Sequence, residues 1–133
     1  MQYLMGVDAG GSVAKTAIYD ISGKEICSAG RKLDTLTPKP EYCERDPEQI
    51  KECVLDAIRE AIHTSGILAA DIAAVGVTGQ ANGLYMFDKK GKAAYPAILS
   101  SDMRAKEFIK RWNEDGTLDE IIPKTYEIIQ YVI

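Results

Sequence analysis

Apolar and polar positions along this chain repeat with two different periods, and the switches between them divide it into elements. Tyr3–Asp8 (YLMGVD) is a short apolar run ending on an acid, followed at once by Gly10 and Gly11. Val13–Asp20 (VAKTAIYD) is a second run, rich in β-formers and with no helix cap before it. The two read as strands joined by a tight glycine turn. Asp20-Ile21-Ser22-Gly23 has turn chemistry, so Lys24–Lys32 is predicted to return as a third, antiparallel strand. Leu33–Asp46 carries Pro38 and Pro40 and reads as a loop.

The period then changes. Ile50, Cys53, Val54, Ala57, Ile58, Ala61 and Ile62 fall at helical spacing on one face, while Lys51, Glu52, Asp56, Arg59 and Glu60 fall on the other. Asp46 is placed to cap this helix, Pro47 suits its first position, Gln49 stands where a capping-box partner belongs, and Gly66 ends it. Ala73–Thr78 (AAVGVT) reads as a buried strand, and Leu84–Phe87 with the Lys89-Lys90-Gly91 turn as a hairpin. Ser101 or Asp102 is predicted to open a second helix with the core stripe Ala105, Phe108, Ile109 and Trp112, which Gly116 stops. Thr117 and Glu120 suggest a short third helix ended by Pro123. The order β-β-β-α-β, then further strand and helix, is α/β with a mixed sheet.

Composition narrows the class. A chain of 133 residues, 46% hydrophobic and 27% charged, is ordinary globular protein of one domain or part of one. The formal charge of −4 and the lack of any Lys/Arg run argue against nucleic acid as a partner. Cys27, Cys43 and Cys53 fit no zinc or CxxC spacing, and His63 is the only histidine, so the cysteines are expected as free thiols in a reducing compartment. Asp8 interrupts the N-terminal apolar run, which therefore does not read as a signal peptide. The uncharged stretch Ile72–Phe87 is too short and too polar for a membrane span. A cytoplasmic location is expected.

Three segments hold candidate chemistry. The first is Asp8-Ala9-Gly10-Gly11-Ser12 with Lys15. Paired glycines let backbone approach a ligand closely, and the amides of such a turn suit phosphate oxygens. Ser12 adds a hydroxyl and Lys15 a positive charge. An acid beside phosphate-binding amides makes physical sense with Mg²⁺ between them, since that ion takes one or two carboxylates plus phosphates and water. An ordinary β-hairpin would use the same residues for its turn alone. The spacing is not that of a P-loop, and a strand follows where a dinucleotide fingerprint needs a helix. The second segment is Gly76-Val77-Thr78-Gly79-Gln80-Ala81-Asn82-Gly83, whose Gln80 and Asn82 amides offer donors and acceptors for a polyhydroxylated ligand or for their own backbone. In the third, Pro96–Arg104, Asp102 and Arg104 flank a helix start, where a local carboxylate–guanidinium pair or a cap is the ordinary reading.

In this order and at these separations, the segments resemble the N-terminal lobe of the FGGY carbohydrate kinases over roughly residues 3–116. GVDAGGSVAKTAIYD is similar to that family's phosphate hairpin, with Ser12 where threonine is common. YCERDPEQI resembles its E-x-x-P helix opening, GVTGQANGLYMFD its G-x-x-x-Q-x-x-G strand–loop, and PAILSSDMRA its PAIxWxDxR segment with Ser100 in the tryptophan's place. The ERDPEQ, AILSSD and RWNEDG stretches look closest to the L-xylulose kinase branch. The resemblance implies a ribonuclease H-like, actin-like ATPase domain that closes with a second domain on MgATP and a sugar. Asp8 would lie near Mg²⁺, with Gly10, Gly11, Ser12 and Lys15 at the ATP phosphates. Gln80 and Asn82 would lie on the sugar side, with Asp102 and Arg104 bordering that pocket. D-xylulose kinases carry a Met-His pair where Ala81 and Asn82 stand, which points away from D-xylulose and toward another ketose such as L-xylulose. Residues 124–133 depart from the family pattern. Family members are several times longer, so the chain is expected to be an inactive fragment that can self-associate, with its catalytic base beyond Ile133 and its adenosine pocket elsewhere. A non-enzymatic actin-like nucleotide-binding or assembly protein is the alternative, and a bare α/β module a third.

Overall fold

The computed structural model describes residues 2–125. They form two compact units: one built from the residues up to Asp34 with Pro47–Gln80, the other from Thr35–Asp46 with the residues from Ala81 onward. The chain is α/β, as its periodicity predicts.

In the first unit, β1 (Tyr3–Ala9), β2 (Val13–Asp20) and β3 (Glu25–Lys32) make an antiparallel meander, and β5 (Ile72–Gly79) adds parallel to β1. The order β3-β2-β1-β5 is a mixed sheet. At the β2–β3 turn, Asp20 Oδ1 accepts from the Ser22 and Lys24 N–H groups, and Gly23 takes φ +86°. The helix α1 (Pro47–Ser65) covers one sheet face, and its Ala57 and Ala61 are fully buried. With no bulk beyond Cβ, they let Val54, Ile58 and Ile62 settle on Met5, Val7, Ile18 and Ala29. Gly66 ends the helix at φ +68°. The predicted capping box is different in fact: Gln49 donates to Asp34 Oδ2 (2.6 Å) and accepts from the Asp34 N–H (3.1 Å).

The strand predicted as buried is exposed. β5 forms the sheet edge, and Val75 and Val77 are 55% and 76% exposed although they share the face of Met5 and Val7. α1 lies over β1–β3 and not over β5. The apolar run of β5 is what a strand covered on both sides requires.

In the second unit, the expected loop contains β4 (Glu44–Arg45), which pairs antiparallel with β6 (Ala97–Ile98). The 84–93 hairpin is present as a bridge between Phe87 and Ala93, with Asp88 Oδ1 accepting from the Lys90 and Lys92 N–H groups and Gly91 at φ +75°. α2 (Lys106–Glu114) starts later than Ser101 or Asp102, because the Asp102 side chain is engaged elsewhere. Ala105 and Ile109 are buried as expected, but Phe108 is 51% exposed, under the Arg111 guanidinium. α3 (Thr117–Thr125) contains Pro123 instead of ending there, and Asp115 accepts from the Thr117 N–H at its start. Of the tail 124–133, residues 126–133 lie outside the described residues. Among the described residues, no helix is long and apolar enough to cross a membrane, and all three cysteines are free thiols.

Candidate functional site

The antiparallel register places Asp8 directly opposite Lys15 at the turn end of the β1–β2 hairpin, one pair before the Gly10–Ser12 turn. Such partners have Cβ atoms about 5 Å apart and share one face of the sheet. Both side chains are exposed, on the face opposite α1. Thr78 of β5 stands beside Asp8 on its other flank. A cavity of about 460 Å³ opens here, lined by Asp8, Lys15, Gly6, Ala17, Gly76 and Thr78 among others. The glycines form its floor, and space above Gly6 and Gly76 is open.

Gly10 and Gly11 connect the strands without left-handed backbone. Gly10 is needed for space. A Cβ there would lie 3.0 Å from the Val13 carbonyl oxygen and 3.2 Å from Asp8 Oδ2. The Asp8 carboxylate is thus packed against the turn, with Ser12 exposed at its tip. Gln80, expected on the sugar side, continues β5 and donates its backbone N–H to the Ala9 carbonyl (3.0 Å). Its Oε1 lies 3.6 Å from where a Cβ on Gly11 would be. The first unit therefore gathers Asp8, Gly10, Gly11, Ser12, Lys15 and Gln80.

The second unit holds Asn82, Asp102 and Arg104. Asn82 is exposed and has φ +58°, a left-handed conformation that asparagine tolerates better than most side chains. Gly83 beside it is hemmed in, since a Cβ would come 2.9 Å from the Tyr85 ring. Asp102 is 1% exposed, and its carboxylate is fully occupied. Oδ2 accepts from the Cys43 N–H (2.6 Å) and Arg104 Nη2 (2.7 Å), while Oδ1 accepts from Arg104 Nε (2.8 Å) and the Arg104 N–H (3.0 Å). Burial pushes the Asp102 carboxyl up, but the bonds from Arg104 and Cys43 outweigh it and hold it below the ordinary carboxylate range. Arg104 is raised in turn, first by its bond to Asp102 and then, against its own desolvation, by Glu44 and Tyr95.

Sequence reasoning missed Glu44 as a site residue. It is 5% exposed, and its Oε1 accepts from Arg104 Nη2 at 2.6 Å. Its only signal was its place as the acid three residues before Pro47 in the helix-opening motif. Thr78 lies in the second candidate segment, but its place beside Asp8 was not foreseen, because a parallel register leaves no local trace.

The model of the FGGY family of carbohydrate kinases, N-terminal domain, matches residues 3–132. That span includes most of the tail that the motifs alone leave apart. The chain is 38% identical over 128 residues to the L-xylulose/3-keto-L-gulonate kinase of Escherichia coli, covering 96% of this chain and 26% of that protein. It is 34% identical to the glycerol kinase of Methylibium petroleiphilum, covering 91% and 24%. Its fold superposes on the ligand-bound xylulose kinase from Lactobacillus acidophilus with a TM-score of 0.79 at 26% identity, over 92% of this chain and 24% of that one. This is the actin-like ATPase fold of the sugar kinases. The chain spans about a quarter of the length of the curated relatives it matches. With nearly its whole length matched, the chain belongs to the FGGY family of carbohydrate kinases, within the N-terminal domain.

Proposed function

We propose that this chain supplies the phosphate-binding hairpin and part of the sugar pocket of an ATP-dependent kinase whose acceptor is a ketose such as L-xylulose. The observation that carries this reading is the Asp8–Lys15 pair beside a glycine turn where a side chain at Gly10 would crowd the Val13 carbonyl and the Asp8 carboxylate. The residues fit Mg²⁺. Among the described residues, no cluster of three or more His, Cys, Asp or Glu could hold a metal alone. One exposed carboxylate is the share Mg²⁺ asks of a protein when phosphates and water complete its shell. Asp8 would hold the ion, directly or through water. The Gly10–Ser12 turn and the Lys15 ammonium would hold the phosphates.

When bound, MgATP supplies the phosphoryl group to be transferred to a sugar hydroxyl. The chain's part is positioning and charge neutralisation, which is most of what phosphoryl transfer needs from a protein. Lys15 would offset phosphate charge on the face where Asp8 would hold the cation. Asn82 offers its amide to a sugar hydroxyl. Accepting the hydroxyl proton is assigned to no residue of this chain, so the 133 residues alone should consume no ATP. In the full-length kinase, Asp8→Ala should lower turnover at least ~100-fold, about 2.8 kcal/mol of barrier. Near-unchanged activity would overturn the phosphate-site reading.

A further inference from the structure

The Arg104 cluster does more than join two acids. Tyr42, Cys43 and Glu44 are consecutive, and each is tied to it: the Tyr42 ring centroid lies 3.8 Å from the guanidinium carbon, the Cys43 N–H donates to Asp102, and Glu44 accepts from Arg104. Tyr95 Oη adds a 3.4 Å bond to the same Glu44 oxygen. The backbone of Glu44 exchanges two 2.8 Å hydrogen bonds with Leu36 and faces Ile98 across the β4–β6 ladder. Ile98 in turn exchanges both backbone bonds with Leu84, at 2.9 and 3.0 Å. Leu84 follows directly on the Asn82–Gly83 turn, and Gly83 abuts the Ile98 carbonyl, which a Cβ would approach to 3.3 Å.

We propose that Glu44 is a positioning residue for the Asn82–Gly83 turn, holding it through Arg104 and the Glu44–Ile98–Leu84 crossing. The proposal rests on the reading of Asn82 as a sugar contact. Asn82 is exposed and sits in a sparsely populated backbone region, so its direction depends on what anchors the next two residues. The anchor is a charge-assisted bond of a buried carboxylate, among the stronger single contacts a fold can use. The Glu44 charge is balanced by Arg104, whose second acid is Asp102, and the other titratable group facing Glu44 is Tyr95. The chemistry served is a hydroxyl-rich ligand, because a neutral amide held in one direction discriminates among hydroxyl arrangements.

The test is Glu44→Gln in the full-length kinase, read by amide hydrogen exchange and steady-state kinetics. Exchange at Leu84 and Ile98 should accelerate about tenfold, the scale of a charge-assisted hydrogen bond, while Met5 and Ile18 stay unchanged. KM for the sugar should rise on the order of tenfold, with KM for ATP within about twofold. A merely structural carboxylate would move both KM values together. Unchanged exchange at Leu84 and Ile98 would overturn the proposal. Faster exchange with an unchanged sugar KM would uphold the link and overturn the reading of the turn as a sugar contact. Tyr95→Phe removes the longer bond to Glu44 and the Tyr95 bond to Arg104 while leaving the Glu44–Arg104 pair, and should give a smaller change of the same kind, so the link stays testable if Glu44→Gln folds poorly. No change in Tyr95→Phe at Leu84, with Glu44→Gln unfolded, would count against it.

Discussion

Replacing Gly10 by alanine is the sharpest probe of the β1–β2 turn, because its neighbour Gly11 supplies the control. The added Cβ at Gly10 would meet the Val13 carbonyl oxygen at 3.0 Å and Asp8 Oδ2 at 3.2 Å. Val13 begins β2 and is registered against Lys32, so its carbonyl has little freedom to retreat. Overpacking of this kind costs about 1–3 kcal/mol, offset by about 0.4–1 kcal/mol from the stiffer unfolded chain. A net loss of about 1–2 kcal/mol corresponds to a fall in Tm of about 4–7 °C at this chain length. At Gly11 the added Cβ would meet only the Gln80 side chain, at 3.6 and 3.7 Å, which is ordinary contact. Neither glycine has the left-handed φ that would penalise alanine by itself. Gly11→Ala should therefore melt unchanged or about 1–3 °C higher, the unfolded-state gain alone. Circular dichroism melts of the two variants at matched concentration decide the matter. Equal melting temperatures, or a greater loss at Gly11, would refute the steric account of the turn.

Three further outcomes are expected. In the full-length kinase, Asn82→Ala should raise KM for the ketose and leave that for ATP nearly untouched, while equal effects on both would remove Asn82 from the sugar pocket. The lowered Asp102 carboxyl stabilises the fold above its unfolded pKa of about 3.9, and that contribution drains away as pH falls through the lower folded value. Asp102→Asn should accordingly flatten the loss of stability below about pH 4 in urea melts, and an unaltered acid slope would contradict the cited bonds. The uncharged edge strand β5, with Val75 and Val77 open, should make the 133-residue chain self-associate, and Val77→Lys should return it to monomer by light scattering. A parent chain that is already monomeric at high concentration would sink that expectation.

The elements legible in the sequence are those whose pattern is local. β1, β2 and β3 are bounded by turns that their own residues build, such as Asp20 and Gly23. α1 shows its buried stripe at every turn, so its face could be named residue by residue. β4 and β6 were not legible, because a two-residue ladder has no period to read. The start of α2 was misjudged because Asp102 has helix-opening chemistry, yet its carboxylate bonds a backbone N–H 59 residues away. For β5 the element was right and its burial was not. Periodicity reports what surroundings a strand is built for, and Val77 has the composition of an enclosed strand in a unit that leaves it open.

The same distinction divides the candidate site. The Asp8–Lys15 hairpin could be read because acid, glycines, hydroxyl and lysine lie within eight residues of one turn, and an antiparallel hairpin fixes their faces by alternation alone. Gln80 could not be placed that way. Parallel pairing brings Gly79 beside Ala9 after a long crossover, and only then does the next side chain fall against Gly11. Arg104 is the extreme case. In sequence it stands two residues after Asp102, which suggested a local ion pair or a cap. In the fold the same guanidinium also holds Glu44, 60 residues distant, and stacks on Tyr42. A residue so committed is held in one direction by two acids and a ring, and that environment, drawn from residues 42–44, leaves no mark in the sequence around Arg104.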